Sequence, residues 1–496
     1  MPESSPQRDS DEKFQFGETC MSEKEEIITA IPFSPQRAVK LLAAIVAYFA
    51  IAYGFGPVEG LSHQGQCSIA LMVAAVIIWV TDALPLAVAA ILMTMLQPLS
   101  GAAPFNKALS NFANPIVFFC FGMFCVTFAF TRSGFSERVA LWISRLAGGN
   151  PARLLLCFIA GGTILSAFMA DVPVVVMLAP IALKIVEQNR CQANGSNFAR
   201  AIMIGLPVGV LMGGIATPTG ASMNILTMQF LRDMAGVDMS FLQWAAIGVP
   251  VVIVLIPVVW FILLKLFPLE LDYLEGTECF EDAWKELGPM SRDEKKFAIF
   301  MLVNIVLWCT DSIHHIPLPI LAVLGGAVLF VPGVDLIDWK YAGPRMGWSI
   351  LMLIGGACSL SMSLWESGAA AWMGNTLLGG LLELPTWLLM LIIGFFAMWI
   401  HLLVTNSTAI IAVFMPMIIA LAQSKGLNPV VLALPLGFLA SASLVLVIDA
   451  VQLVTYQYGY YSMRDWLKAG VTISFIWIPL CVASVLLIGG GVLGLY

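Results

Sequence analysis

An all-α polytopic membrane protein is predicted, with about eleven transmembrane helices and two re-entrant hairpins in an inverted repeat. Three observations carry this. The 496 residues are 59% hydrophobic and only 11% charged, whereas a soluble domain is about a quarter charged. The apolar residues come in long unbroken runs, not in the alternation of a membrane strand, so the spans are helices. Two stretches on either side of a charged central loop repeat the same series of features.

Residues 1–37 are polar and of mixed charge, without the apolar core of a signal peptide, and read as a cytoplasmic tail. Apolar runs follow at 38–57, 67–86, 87–105 and 112–137. The next run, 152–187, is too long for one helix across about 30 Å of hydrocarbon, and "MADVP" interrupts it. It reads as a re-entrant hairpin that enters and leaves on one side, with two ordinary short spans as the alternative. Runs at 200–231 and 240–266 complete a first membrane half, 38–267. Residues 268–297 form the only long charged loop and read as a cytoplasmic linker. The second half, 298–496, takes in runs at 297–312, 317–333, 347–372, 385–422, 430–461 and 468–493. Its long run, 385–422, reads as the second hairpin, broken by "TNST". No formal charge lies between Leu384 and Ser424. Thr405, Asn406, Ser407 and Thr408 therefore stand in an apolar tract, where uncompensated polar groups cost roughly several kcal/mol.

Each half contains a helix ending in Ser-Gly (Ser133-Gly134, Ser367-Gly368), then a hairpin, then an interrupted span. Both hairpins carry a proline ten residues past the break: Ala170 to Pro180, and Asn406 to Pro416. Basic residues set the orientation. Arg132, Arg138, Arg145 and Arg153 precede or begin the first hairpin, and Lys184, Arg190 and Arg200 close or follow it, so it opens inward. No Lys or Arg lies between Arg345 and Lys425, so the second opens outward. Arg37, Lys40 and the basic residues of the central loop place the N-terminus and linker in the cytoplasm, in an integral multi-pass protein of the cell (inner) membrane. Oppositely inserted hairpins are a common architecture of secondary transporters.

The interrupted spans break at "GGIATPTGASMN" (Gly213 to Asn224) and "SASLVLVIDAVQ" (Ser441 to Gln452). The glycines alone fit close helix packing as well as a site; Thr217, Pro218, Thr219 and Asn224 favour a site. Two tips meeting two broken helices give a pocket of half-helix ends. Helix N-termini suit an anion, and C-termini and freed carbonyls suit Na⁺. Asp171 and Asp449 are intramembrane acids and hence functional candidates. "ADVP" equally reads as a cap on the following half-helix, with Pro173 just inside it; Asp449 lacks that signature. Two ionised carboxylates repel a dianion, so cations or protons must neutralise them, with H⁺ replacing Na⁺ at one or both ion sites. His401, one turn before Thr405, reads as an interior histidine or a proton relay. Arg132 and Glu366 stand in matching places before each Ser-Gly, at helix ends or domain contacts. Trp348 and Tyr461 read as interfacial anchors. His314, His315 and Asp311 are too few for a metal site. The ten cysteines imply no disulfide framework. No cofactor is expected beyond Na⁺ as a coupling ion, and no H-E-x-x-H, G-x-S-x-G or acidic metal cluster suggests an enzyme.

At these residues the sequence resembles the divalent anion/sodium symporter family, over nearly all of residues 38–496. "IIWVTDALPLAVAAIL" (Ile77 to Leu92) is similar to the family's W-x-T-E-x-L-P-L-A stretch. "ELGPMSRDEKKF" and "WSILMLIGGACSLSMSLWESGAA" resemble its linker and the helix after it. The resemblance implies a homodimeric secondary active transporter of small divalent organic anions, C4-dicarboxylate-like, coupled to Na⁺ or H⁺ and working as an elevator. An exchanger or a carrier of sulfate or another inorganic anion is the alternative. A membrane receptor or intramembrane enzyme is the reading from another class, and no nucleic-acid partner is implied. The family's tips and breaks, carried over one position at a time, place the substrate against Asp171, Val172, Ala221, Ser222, Asn406, Ser407, Thr408 and Asp449. They place the cations against Ala170, Asp171, Gly220, Asn224, Thr405, Asn406, Asp449 and Gln452. The two aspartates stand where the family has neutral residues.

Overall fold

The structure is a computed structural model that describes residues 34–275 and 278–495. Of the expected tail, residues 1–33 lie outside the described residues. The first half runs α1 (Pro35–Phe49), α2 (His63–Thr81), α3 (Leu86–Ser100), α4 (Phe105–Phe112), α5 (Pro115–Arg132), α6 (Phe135–Arg145), α7 (Pro151–Ser166), α8 (Asp171–Gln188), α9 (Asn197–Gly214), α10 (Ser222–Ala235) and α11 (Phe241–Leu266). The linker contains α12 (Glu278–Leu287). The second half runs α13 (Arg292–Cys309), α14 (Asp311–His314), α15 (Leu318–Val328), α16 (Trp339–Arg345), α17 (Trp348–Glu366), α18 (Ala369–Leu378), α19 (Thr386–Trp399), α20 (Ser407–Ser424), α21 (Val430–Leu439), α22 (Ala450–Tyr456) and α23 (Met463–Ser484).

The start signals are in the sequence. Asn114-Pro115 and Asn150-Pro151 put a capping side chain before a proline at the first helical position, where no amide is needed. Ser240, Ser291 and Ser462 form capping boxes with Gln243, Glu294 and Asp465. Among the described residues, eight helices are long and apolar enough to cross a membrane, or up to nine if a pair bent by 115°, Ala369–Leu381 with Thr386–Leu402, is one span. Four shorter apolar helices, α3, α7, α15 and α21, accompany them. The count differs from about eleven because breaks shorten α21 and charges at its start disqualify α13.

The two halves have the same order from α5 to α10 and from α17 to α22. Gly134 and Gly368 adopt nearly the same left-handed conformation, at φ 79° and 77°, and turn each long helix into its short successor. A side chain there is strained. Gly134→Ala and Gly368→Ala are each expected to cost about 1–2 kcal/mol, the price of a non-glycine residue in that conformation. Thermal melts of the purified variants would test this, and unchanged melting would sink it.

The halves then pack crosswise. α15 lies on α5 and α3 lies on α17. The contacts need glycine: a Cβ on Gly122 would lie 2.2 Å from Ala322 O, and one on Gly356 would lie 2.7 Å from Ala90 Cβ. Arg132 pairs with Asp338, the N-cap of α16, while Glu366 pairs with Lys107 of α4 at 3.0 Å. Both matched residues thus reach into the other half. The pairs are solvent-accessible, so they contribute little to stability.

The linker straps the base of the first hairpin. Leu274 N donates to Gly149 O at 2.8 Å, and Asn189 and Glu275 exchange two hydrogen bonds. Glu270 accepts from the Asn197 and Phe198 amides at the start of α9, where a carboxylate complements the helix dipole. Further on, Arg138 and Arg145 of α6 stack on Trp284, and Arg138 meets Glu294 in a buried pair with N–O distances of 2.9 and 3.1 Å.

Candidate functional site

The first tip is the turn between α7 and α8. Asp171 is the first residue of α8 and the N-cap is Ala170, so the carboxylate is not the cap that "ADVP" suggested. It accepts a hydrogen bond from Ser166 Oγ instead. It also lies against the first break: a Cβ on Gly214 would be 3.2 Å from both of its oxygens. Backbone carbonyls converge at the same place. A Cβ on Gly220 would sit 2.6 Å from Gly214 O, 2.9 Å from Ser166 O and 3.1 Å from Gly213 O. Only glycine fits there, and the oxygens of tip and break gather around it. Thr217 Oγ1 ties the tip to the break by donating to Ala167 O.

Asn224, the third residue of α10, holds the break open. Its Nδ2 donates to Gly214 O at 2.6 Å and Thr217 O at 2.8 Å. Its Oδ1 is buried without a hydrogen-bond partner. An acceptor buried without a donor costs about 1–3 kcal/mol, so this oxygen and the nearby carbonyls suit a cation with oxygen ligands, such as Na⁺.

Gln452 takes the same place in the second half, as the third residue of α22. Its Nε2 donates to Ser443 O across the break. Its Oε1, unlike that of Asn224, accepts from the Ile448 and Asp449 amides, both at 3.1 Å. The two breaks are therefore built alike but differ chemically: the first leaves an acceptor, and the second uses it on backbone. Asp449 is the N-cap of α22 and forms a capping box with Gln452. The cap thus belongs to Asp449, whose local sequence carries no such signal.

At the second tip, α19 ends in one 3-10 turn, Ile400–Leu402, and α20 starts at Ser407. Asn406 is the N-cap, its Oδ1 accepting from Ala409 N at 3.1 Å, which leaves Nδ2 to donate elsewhere. Thr408 is buried, Asn406 and Ser407 are half-buried, and Thr405 is exposed. His401 is buried beneath them, its Nε2 3.4 Å from Ser407 Oγ.

The tips meet the breaks crosswise. α8 packs on α22 and α20 packs on α10, each hairpin arm against the half-helix of the other repeat. Asp171 and Asp449 come close enough for their charges to interact. Ala170, Ala221 and Ser222 are half-buried beside them, and Val172 is exposed. Sequence reasoning missed Ser166, whose only signal is a hydroxyl five residues before an acid. Tyr461 is not an interfacial anchor: it is 2% exposed and bonds to Thr455 Oγ1 and Gln452 O beneath the second break. Trp348 is exposed, as an anchor would be. His314 is occupied by Leu307 O and Ile316 N, and the described residues contain no group of three or more metal-type side chains. A surface cleft of about 510 Å³ lies between α10, the start of α11 and the turn before α15.

The family described as the sodium:sulfate symporter transmembrane region matches residues 36–493. The sodium-dependent dicarboxylate transporter SdcS of Staphylococcus aureus is 26% identical, over 90% of this chain and 90% of its own length. A membrane protein of Cupriavidus necator is 27% identical, over 88% of this chain and 89% of its own. Two solved structures share the fold. The YdaH transporter of Alcanivorax borkumensis has a TM-score of 0.52 at 15% identity, covering 81% of this chain and 89% of its own. MtrF of Neisseria gonorrhoeae has a TM-score of 0.54 at 12% identity, covering 90% and 94%.

Proposed function

This chain belongs to the sodium:sulfate symporter family and is a membrane transporter rather than an enzyme; from that premise we propose that it carries small dicarboxylates, of the C4 type, together with cations. One observation carries the reading. The four half-helices that begin at the tips and breaks pack as two unlike pairs. α8 and α22 begin with an acid each, Asp171 and Asp449. α10 and α20 begin with the neutral Ser222 and Asn406-Ser407. An acid at a helix N-terminus already complements its dipole, whereas a neutral start leaves amides for an external anion. A molecule with two separated carboxylates matches the α10–α20 pair, and cations match the α8–α22 pair.

Charge then orders the cycle. Two ionised carboxylates beside the pocket repel a dianion, so cations load first and the anion follows. Na⁺ fits the first break beside Asp171 of α8, where the Gly213, Gly214 and Ser166 carbonyls gather around Gly220 and Asn224 Oδ1 is buried without a partner. At the second break the amide oxygen is taken, and a proton on Asp449 is the simplest neutralising group. Candidate substrate contacts are Ala221, Ser222, Asn406, Thr408 and Val172 beside Asp171; Ala170, Gly220, Thr405 and Gln452 frame the cation side. In this reading the first hairpin opens to the cytoplasm and the second outward, with the N-terminus inside, and one domain of each protomer in a dimer moves as an elevator.

SdcS, by its name, is a sodium-dependent dicarboxylate transporter, which supports the substrate class. The test is uptake of labelled succinate by purified protein in liposomes under imposed Na⁺ or pH gradients, with malate, citrate and sulfate as competitors. An inward Na⁺ gradient is expected to speed uptake about tenfold or more, a difference of roughly 1.4 kcal/mol or more in activation free energy. A pH gradient should add to it, and sulfate should compete poorly. Uptake indifferent to both gradients would remove cation coupling, and strict Na⁺ dependence without proton flux would remove the proton.

A further inference from the structure

A cationic patch with no part in transport lies around α16, where the two halves meet. Arg132 is the last residue of one membrane-crossing helix and Trp348 the first of another, so α16 sits at a membrane boundary. Lys296, near the start of α13, donates to Val334 O just ahead of α16, which puts the patch at the linker end. Arg132 and Arg345 both stand over the ring of Tyr341, their guanidinium carbons 5.1 and 4.3 Å from its centre. Lys340 is next to that tyrosine in the chain, and all three cations are exposed. Asp338 pairs with Arg132. Among the described residues, neither Lys340 nor Arg345 has a carboxylate partner; Arg345 Nη1 donates to Tyr341 O at 3.2 Å. Three positive charges thus gather around one negative. Like charges held this way repel, and an anion bridging them relieves the repulsion.

The neighbours say which anion. Trp339 and Trp348 lie 6.4 Å apart and are each about half exposed, as indoles are at the level of lipid headgroups. Phe330, just past α15, packs on Trp339 at 6.2 Å and joins that helix to the patch. Leu324 and Val328, one turn apart on α15, are exposed, as is Ile350 of α17, and on membrane helices such side chains face hydrocarbon. We propose that Arg132, Lys340 and Arg345 hold the headgroup phosphate of an anionic phospholipid whose acyl chains lie along α15 and α17. Guanidinium groups suit phosphate because they donate two parallel hydrogen bonds. A net negative headgroup is required, since a zwitterionic one brings its own cation to a site already rich in them. Arg132 comes from the first half and Arg345 from the second, so the lipid ties the halves together. The proposal needs only that the chain spans a membrane and is independent of the substrate.

The experiment titrates the purified full chain, in neutral detergent, with phosphatidylglycerol, phosphatidylcholine or soluble glycerol phosphate. Melting temperature is the readout, and native mass spectrometry counts bound lipids and chains. Phosphatidylglycerol should raise the melting temperature and stay bound, and the other two should do neither. R345Q and K340Q are each expected to raise the half-effective phosphatidylglycerol concentration about fivefold, and the double variant further than either. D338N should lower it severalfold, because the acid goes while asparagine still caps α16. That sign separates a lipid site from a structural ion pair, whose loss would only weaken the fold. R464Q/K468Q is the control at the same end: Glu270 of the linker caps α9, and Arg200 of α9 meets Asp465 of α23 at 3.7 Å. Its half-effective concentration should stay within about twofold of wild type. All these side chains are exposed, so the variants should fold. An equal response to phosphatidylcholine or glycerol phosphate, an equal loss in R464Q/K468Q, or weaker binding in D338N would overturn the proposal. So would a change in chains per complex in R345Q/K340Q, which would make the patch an interface between copies.

Discussion

Asp171→Asn is expected to uncouple accumulation from the cation gradient. The side chain keeps its volume, and an amide oxygen still accepts from Ser166 Oγ. The negative charge is what goes. In the folded protein that charge stands at the start of α8, beside Gly214 of the first break and near Asp449. It stands beside Gly214, whose carbonyl gathers with those of Gly213 and Ser166 around Gly220. A carboxylate within about 4–6 Å of a cation favours it by several kcal/mol at low dielectric, far more than a neutral amide does. Gradient-driven succinate accumulation in liposomes should therefore fall at least about tenfold, roughly 1.4 kcal/mol of coupling. Exchange of labelled for unlabelled succinate, which needs no net cation movement, should fall less. Accumulation at the wild-type level would take Asp171 out of the coupling step. Asp449→Asn should weaken the response to a pH gradient more than the response to a Na⁺ gradient, since Gln452 gives its oxygen to backbone amides there.

The sequence made the architecture legible because lipid imposes it. Span length, the Ser-Gly pairs and the shared prolines are written in residue types, and the structure places Gly134 with Gly368 and Pro180 with Pro416 at matching points. The first break was legible for the same reason: Gly, Pro and Thr cannot be ordinary in an apolar run. The cation cluster was not, because its ligands are backbone carbonyls of Ser166, Gly213 and Gly214, and an oxygen on the main chain has no letter. The capping roles of the two acids were read the wrong way round. A cap and the first helical residue differ by one position, and the extended ψ of 140° at Ala170 decides it. Tyr461 misled for a related reason: a tyrosine near a span end looks interfacial until a partner such as Thr455 gives its hydroxyl a buried place.

Gly213→Ala is expected to have the largest effect on stability of the methyl additions along the glycine stripe of α9. Gly205, Gly209 and Gly213 recur every fourth residue on the face of α9 that meets α7, where Leu155, Ile159 and Thr163 recur at the same spacing. The clearance shrinks along the stripe towards the site. A Cβ on Gly205 would lie 2.7 Å from the Leu155 Cδ1 atom, the mobile end of a side chain. On Gly209 it would lie 2.5 Å from Ile159 O, and on Gly213 2.2 Å from Thr163 O, both backbone. A leucine changes rotamer; a carbonyl moves only with its helix. Overpacking of a close interface costs about 1–3 kcal/mol and sometimes more, so Gly205→Ala should fall at the lower end and Gly213→Ala at or above the upper. Gly379→Ala is the control, with nothing within 4 Å of its Cβ and a helical φ of −55°, and it should be neutral or slightly stabilising. Because Gly213 O is itself one of the clustered carbonyls, pushing α7 off α9 also spreads the cation ligands. Gly213→Ala should thus lose Na⁺ stabilisation as well as melting temperature, while Gly205→Ala should lose only the latter. Melting curves of the four proteins with and without Na⁺ would measure both quantities, and a reversed order along the stripe, or an unshifted Gly213→Ala, would mean that α7 and α9 are not held this closely.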